Sequence, residues 1–265
     1  MQVKRSYWSY LYHSKGRHGI HSPFVFELMD TCLTAKMDKN FSGAFKKWSK
    51  DLRKSRQLLE FNDFGAGCKT GIKRLRSVKS IYLSSSTRGV YGRFLHRLAR
   101  YYEPQKILEL GTSLGVGTFH LLTGSLQSHM TTVEGCASVF HLANEQRTLQ
   151  QKERTLAFHG SFLDYFASLN DQEVFDMVYL DGHHDGSATL RYLTLLVPHL
   201  HENSLVVIDD IRWSKDMWAA WKQVALDTRF HLTMDFGRMG IVALRKQQQK
   251  EHFILRPVVF RTPWF

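Results

Sequence analysis

From Lys106 onward the chain alternates between short apolar runs and stretches of helical spacing, and this rhythm constrains the fold more than any other feature. KILEL, TTVEG, TLAFHGS, DMVYLDG, SLVVIDD, FHLTMDF and GIVALRK read as seven short strands. Helical stretches between most of them supply the crossovers that parallel strands require, so the pattern predicts βαβ units and a mostly parallel sheet. The last two runs are joined by only a few residues around Gly237, too short for a crossover, which makes the final strand antiparallel. The expected fold is therefore α/β: a Rossmann-like, seven-stranded sheet over residues 105–246, preceded by a basic helical extension and lid (1–104) and followed by a tail (247–265).

The extension differs in composition from the body. Residues 1–106 hold 22 Lys and Arg against 7 Asp and Glu (+15), while residues 107–265 hold 14 against 17 (−3), so the front carries more than the whole net charge of +12. Such a division suits either an anion-facing surface or a solvated helical face. Phe24, Leu28 and Met29 after Ser22-Pro23, and then Trp48, Leu52, Leu58 and Leu59, have helical spacing. Gly65, Gly67 and Gly71 lie among Lys69, Lys73, Arg74, Arg76 and Lys79 in a loop able to approach phosphate. That loop lacks the GK[ST] ending of a P-loop, which leaves a solvated loop as the plainer reading. His13, His18 and His21 have mixed spacing and no companion acids, so they read as a lid or packing segment rather than a metal cluster.

Cys32, Cys68 and Cys136 form no CxxC pair and support neither a disulfide framework nor a thiolate zinc site. With no signal-like segment and no run of apolar residues long enough to span a bilayer, a soluble cytoplasmic protein is expected, and no membrane partner.

Two acidic patterns carry the chemistry. ILELGTSLGVGTFHLL places Glu109 at a strand end, followed by Gly111, Gly115 and Gly117 before a helix; glycines there let the backbone approach a ligand at the carboxyl edge of the sheet. Glu134 ends the next strand, where it can accept hydrogen bonds from two ribose hydroxyls. This order is not the dinucleotide fingerprint, and the two acids favour a cationic nucleoside over a pyrophosphate. Further on, Asp181 ends DMVYLDG, and Asp209 and Asp210 end SLVVIDD. Three carboxylates at one edge need protons or a cation, and oxygen ligands suit Mg²⁺ or Ca²⁺; pocket lining or helix capping without metal is the alternative. Trp213, Trp218 and Trp221 read first as helix packing and second as a wall on which a substrate stacks.

Glu109-x-Gly111-x-x-x-Gly115 with Glu134 resembles the class I S-adenosylmethionine-dependent methyltransferases over about residues 105–245. The resemblance implies a cofactor cradle of Glu109, Gly111, Ser113, Gly115, Gly117, Glu134 and Gly135, an adenine-side loop at Gly160, Ser161 and Phe162, and Asp181 beside the cofactor. Asp181 with Asp209-Asp210 is similar to the metal-dependent O-methyltransferases, and Asp181-Gly182-His183-His184 to the D-G-x-H motif of macrolide-type sugar O-methyltransferases. These likenesses imply S-adenosylmethionine as cofactor, a divalent ion such as Mg²⁺ on Asp181, Asp209 and Asp210, and catalysis by Asp181 and His184, the latter as general base or substrate orienter, with His183 able to exchange roles. Gly186 departs from the sugar-modifying relatives, which often carry an aromatic there. The RHGIHSPF opening is similar to that of uncharacterised bacterial methyltransferase-like proteins. Methyl transfer to an oxygen nucleophile is thus the expected activity, on a small-molecule hydroxyl substrate or, alternatively, on a hydroxylated RNA base; a non-catalytic adenosyl- or RNA-binding module is the third reading. A homodimer is compatible with the sequence.

Overall fold

A computed structural model describes residues 10–16, 20–34, 39–61 and 74–256. Its strands are β1 (Leu58–Phe61), β2 (Arg74–Ser77), β3 (Lys106–Leu110), β4 (His129–Glu134), β5 (Thr155–His159), β6 (Phe175–Leu180), β7 (Leu200–Ile208), β8 (Leu232–Asp235), β9 (Gly240–Ala243) and β10 (Glu251–Ile254). β1 and β2 form an antiparallel hairpin, and the other eight form a sheet in the order β10-β8-β9-β7-β6-β3-β4-β5. β4 runs parallel to β5 and β6 parallel to β7, whereas β9 is antiparallel to both β7 and β8. The α/β class and the reversed strand after Gly237 agree with the sequence pattern.

The sheet has one strand more than the sequence predicts. Glu251–Ile254, expected in the tail, pairs parallel with β8. Its short polar text hides a strand that long-range contacts hold: Lys15 N donates to Ile254 O at 2.8 Å, Arg256 N donates to Lys15 O at 3.0 Å, and the Tyr10 hydroxyl donates to Leu255 O. Leu58 and Leu59 also depart from helical expectation, since both lie in β1. Residues 62–73 of the glycine- and lysine-rich loop and His18 lie outside the described residues; Arg74 and Arg76, read as part of that loop, stand in β2 and Lys79 in the helix Val78–Ser85, while His13 and His21 are exposed.

The contacts divide the chain into two compact units, Met1–Thr34, Lys106–Leu108 and Leu169–Phe265 on one hand, Ala35–Gln105 and Glu109–Ser168 on the other. In the second unit, the basic region turns an apolar side inward. Leu52, Leu59, Val78, Ile81 and Tyr82 pack with Leu114, Val116, Cys136, Val139 and Leu142, and Phe45, Trp48 and Phe61 cover them. Burying a side chain of this size contributes roughly 1.5–3 kcal/mol, so the front helices and hairpin brace the residues around the glycine turn. Ser138 Oγ donates to Glu60 O at 2.6 Å and fixes the hairpin to the helix Ala137–Gln146. The Lys and Arg residues of helices Lys39–Trp48 and Lys50–Lys54 remain exposed on the other side.

In the first unit, β6 is apolar and buried except at Asp176, and β7 becomes so from Leu205 to Ile208, as strands covered on both faces must be. Helices Gly186–Leu196 and Lys215–Leu226 follow them and begin on capping side chains: Asp185 accepts from Ala188 N and Ser214 accepts from Met217 N. The caps fix where each helix starts, and so fix the loops that leave the carboxyl ends of β6 and β7.

Candidate functional site

The first candidate region is the turn after β3. Gly111 (φ 106°), Ser113 (φ 46°) and Gly115 (φ 75°) adopt left-handed backbone conformations that let the chain double back into the helix Val116–Gly124. A Cβ built on Gly115 would meet no atom within 4 Å. The turn thus borders open space, and the glycine serves conformation and not packing. Gly111 N and Thr112 N both donate to Val133 O, at 3.0 and 3.3 Å, tying the turn to β4. Gly117 is buried within the helix.

Glu134, at the end of β4, accepts Ser113 N on one oxygen and Cys136 N on the other, both at 2.8 Å. Its pKa is raised by burial, against the pull of these amides and that of Gly135. A carboxylate has about four acceptor sites, so beyond these three amides about one remains for a ligand hydroxyl. This donor-and-acceptor chemistry fits a ribose.

Glu109 lies elsewhere than expected. It is wholly buried beneath the turn, where its Oε2 accepts the hydroxyls of Thr118 at 2.5 Å and Thr132 at 2.6 Å, joining β3 to the following helix and to β4. Its other oxygen is buried without a hydrogen-bond partner, and burial pushes the pKa up to about 7. Glu109 shapes the turn and does not face the open space. Ser161 likewise acts locally, its hydroxyl and amide bonding Asp164 at the start of the helix Phe162–Ser168.

The second region lies at the carboxyl ends of β6 and β7. Arg238, in the β8–β9 turn, donates from Nε to Asp209 Oδ1 and from Nη2 to Asp209 Oδ2, both at 2.9 Å. Asp209 Oδ1 also accepts Asp210 N at 2.8 Å, and Oδ2 lies 3.0 Å from the Tyr179 hydroxyl, which is 2.8 Å from Asp181 Oδ2. Arg238 Nε further contacts Asp210 Oδ1 at 2.8 Å. Burial acts to lower the Arg238 pKa, and the charges of Asp209, Asp210 and Asp181 outweigh it and raise it. The same burial, together with the Asp209 charge, raises Asp181 and Asp210 above the ordinary carboxylate range.

This arrangement revises the expected metal set. Asp209 is expected to ligate together with Asp181 and Asp210, but its side chain is wholly buried, Arg238 engages both of its oxygens, Asp210 N adds to one, and the Tyr179 hydroxyl lies between it and Asp181. Among the described residues, the group able to hold a metal ion is Asp181, His184 and Asp210, with one ligand atom from each within 4.8 Å of the others. His184 Nε2 stands 3.9 Å from Asp181 Oδ1 and 3.7 Å from Asp210 Oδ2. These separations are too long for hydrogen bonds and shorter than two metal–oxygen bonds end to end, about 4–5 Å. The donor set therefore fits a cation.

His183 (φ 55°) and Asp210 (φ 53°) take left-handed conformations at the two strand ends. Such conformations cost about 1–3 kcal/mol and cluster at functional sites. His183 Nδ1 is 2.6 Å from the Tyr192 hydroxyl and is thereby engaged outside the His184 group. At Gly186 a Cβ would come within 2.6 Å of Asp216 O, which explains why no aromatic stands there. Trp221 is buried and packs against Gly240, and Trp218 stacks under the Arg212 guanidinium at 4.0 Å. Only Trp213 of the three is exposed, at 64%, and its ring lies 6.2 Å from the His184 imidazole.

Sequence reading missed Arg238 and Tyr179. Arg238 stands in a turn remote in sequence from the acids it neutralises, and Tyr179 reads as one more apolar strand residue. The only available signal was charge: a buried Asp-Asp pair requires a compensating cation.

Residues 108–211 match the family profile of a methyltransferase domain. No curated protein matches the sequence. Among solved structures, a cofactor-bound protein from MTB is similar at 18% identity and TM-score 0.54 over 85% of this chain and 98% of its own. The O-methyltransferase TomG from Streptomyces achromogenes, in complex with SAM, has 16% identity and TM-score 0.54 over 79% and 91%. An O-methyltransferase from Bacillus cereus in complex with SAH has 19% identity and TM-score 0.52 over 60% and 83%. Residues 108–211 thus carry a methyltransferase domain, and the solved structures share its fold. Among the described residues, no helix is long and apolar enough to cross a membrane.

Proposed function

We propose that this protein transfers a methyl group from S-adenosylmethionine to a hydroxyl oxygen of a small molecule, assisted by a divalent cation. The observation that carries this reading is the Asp181–His184–Asp210 group at the strand ends of a methyltransferase domain. The similar Bacillus cereus and Streptomyces achromogenes proteins are both O-methyltransferases, which supports oxygen as the acceptor atom. Glu134 would hold a ribose hydroxyl through its remaining acceptor site, with the amides of Ser113, Gly135 and Cys136 fixing the carboxylate. The turn from Gly111 to Gly115 brings backbone close to the cofactor, and Phe162 stands at the start of the helix after β5.

Asp181, Asp210 and His184 would hold the cation, which when bound supplies Lewis-acid stabilisation of the deprotonated hydroxyl. Bound S-adenosylmethionine would supply the methyl group and leave as the neutral thioether, the hydroxyl proton having gone to solvent when the oxygen met the cation. Positioning dominates the rate of such an in-line transfer, and the exposed Trp213 ring beside His184 offers a planar acceptor a stacking wall.

Incubation with methyl-labelled cofactor, a panel of hydroxylated aromatic compounds and total RNA tests the reading. Label in small molecules, lost on chelation and restored by divalent cation, is the expected result. Label in RNA alone, or turnover undiminished in excess chelator, overturns it.

A further inference from the structure

Arg238 divides the acidic residues into two classes. Asp209 has both oxygens in a guanidinium fork and further donors at Asp210 N and Tyr179. The fork and the Asp210 amide take about three of the carboxylate's four acceptor sites, the one Tyr179 proton being shared with Asp181, and ligation to an ion would require breaking the fork. Three carboxylates less one guanidinium leaves two negative charges, matching a divalent ion. The atoms facing one another are then Asp181 Oδ1, Asp210 Oδ2 and His184 Nε2. Geometry brings the imidazole into the group that sequence resemblance fills with a third carboxylate.

We propose that His184 is a metal ligand in this protein and that the resulting nitrogen–oxygen set selects borderline first-row cations, such as Co²⁺, Fe²⁺ or Zn²⁺, over Mg²⁺ and Ca²⁺. Imidazole suits transition cations, whereas Mg²⁺ and Ca²⁺ prefer oxygen donors alone. Arg238 enforces the choice by withholding Asp209. The proposal rests on the metal-assisted reading of the site and adds to it the kind of ion and the role of His184.

The test is a titration of the full chain with Co²⁺, followed by its visible absorption bands, with Mg²⁺ as competitor. Wild type should bind Co²⁺ at 1:1, and Mg²⁺ should displace it only in roughly hundredfold or greater excess. His184→Gln should weaken Co²⁺ at least about tenfold, alter its absorption bands, and change Mg²⁺ affinity by less than about threefold. Arg238→Gln, where folded, should free Asp209 and narrow the preference by strengthening Mg²⁺. Equal competition by Mg²⁺ in wild type, or a His184→Gln protein with unaltered Co²⁺ bands and affinity, overturns the proposal while leaving metal-assisted transfer standing. Binding of neither cation overturns both, and the labelled-methyl assay then reports separately on transfer.

Discussion

The glycine turn and the acid cluster both bury carboxylates, but they compensate them differently. Glu134 and Glu109 are hydrogen-bonded only by neutral dipoles, backbone amides in one case and threonine hydroxyls in the other, with the Arg147 charge acting on Glu109 without a hydrogen bond. Asp209 is met by a full positive charge. Dipoles from neighbouring residues can hold an acid still while leaving acceptor sites for a ligand. A guanidinium that fills an acid removes it from further chemistry and passes the task to its neighbours, here Asp181, Asp210 and His184. The difference teaches that an acidic residue in a motif is a candidate ligand only after its local partner is known.

Removing that partner should produce the largest effect. Arg238→Met leaves Asp209 buried without its charge, and loss of one member of a buried pair costs about 3–5 kcal/mol. Adding Asp209→Asn should restore most of the loss, because an amide needs no counter-ion. Denaturant unfolding of both variants checks this, and an Arg238→Met protein as stable as wild type would show that the fork contributes nothing.

The turn should show its own signature as a pH slope. Burial raises Glu109 from an ordinary value of 4.5 to about 7. Between those values the folded protein holds a proton that the unfolded chain has released, so stability falls as pH rises through this window. The fall from this group amounts to roughly 3 kcal/mol. Glu109→Gln should flatten the slope between pH 4.5 and 7, as read from unfolding midpoints across pH. An unchanged slope would place the carboxylate's burial elsewhere.

These two regions were unequally legible in the sequence. The βα rhythm, the glycine turn and the strand-end acids are local patterns, because strand period, helix spacing and turn glycines act over a few residues. Glu109 is legible only in part: its position in an apolar run marks a strand end, and nothing local reveals that Thr118 and Thr132 hold it below the turn. Asp209 was misassigned for a longer-range reason, since Arg238 reaches it from the β8–β9 turn. β10 was hidden because its support comes from β8, Tyr10 and Lys15, across most of the chain's length.

The ligand-binding half of the comparison is sharpened by Glu134→Gln. It keeps the shape but turns one acceptor into a donor, and hydrogen bonds to a charged group are worth about 1.5–3 kcal/mol. S-adenosylmethionine affinity measured by calorimetry should fall at least about tenfold, with Ser113 N or Cys136 N left facing an amide NH₂. Gly115→Ala should act in the same assay by another route, since its φ of 75° makes any side chain costly by about 1–2 kcal/mol although the space is open. Unaltered affinity in both variants would remove the turn from the cofactor site.

The smallest effect on the fold belongs to Trp213, and it separates stability from substrate binding. Its ring is 64% exposed, so Trp213→Ala should change unfolding free energy by no more than about 0.5 kcal/mol. An aromatic acceptor stacked on that ring loses apolar contact worth about 0.5–1.5 kcal/mol. That loss corresponds to a rise in acceptor KM of about two- to tenfold, with cofactor affinity unchanged. Its counterpart is Trp213→Phe, which retains a face for stacking and should recover most of the lost affinity. Aliphatic acceptors should show little response to either change. If Trp213→Ala leaves the KM of every aromatic acceptor unaltered, the ring is a surface residue, and acceptor orientation rests on the His184 group alone.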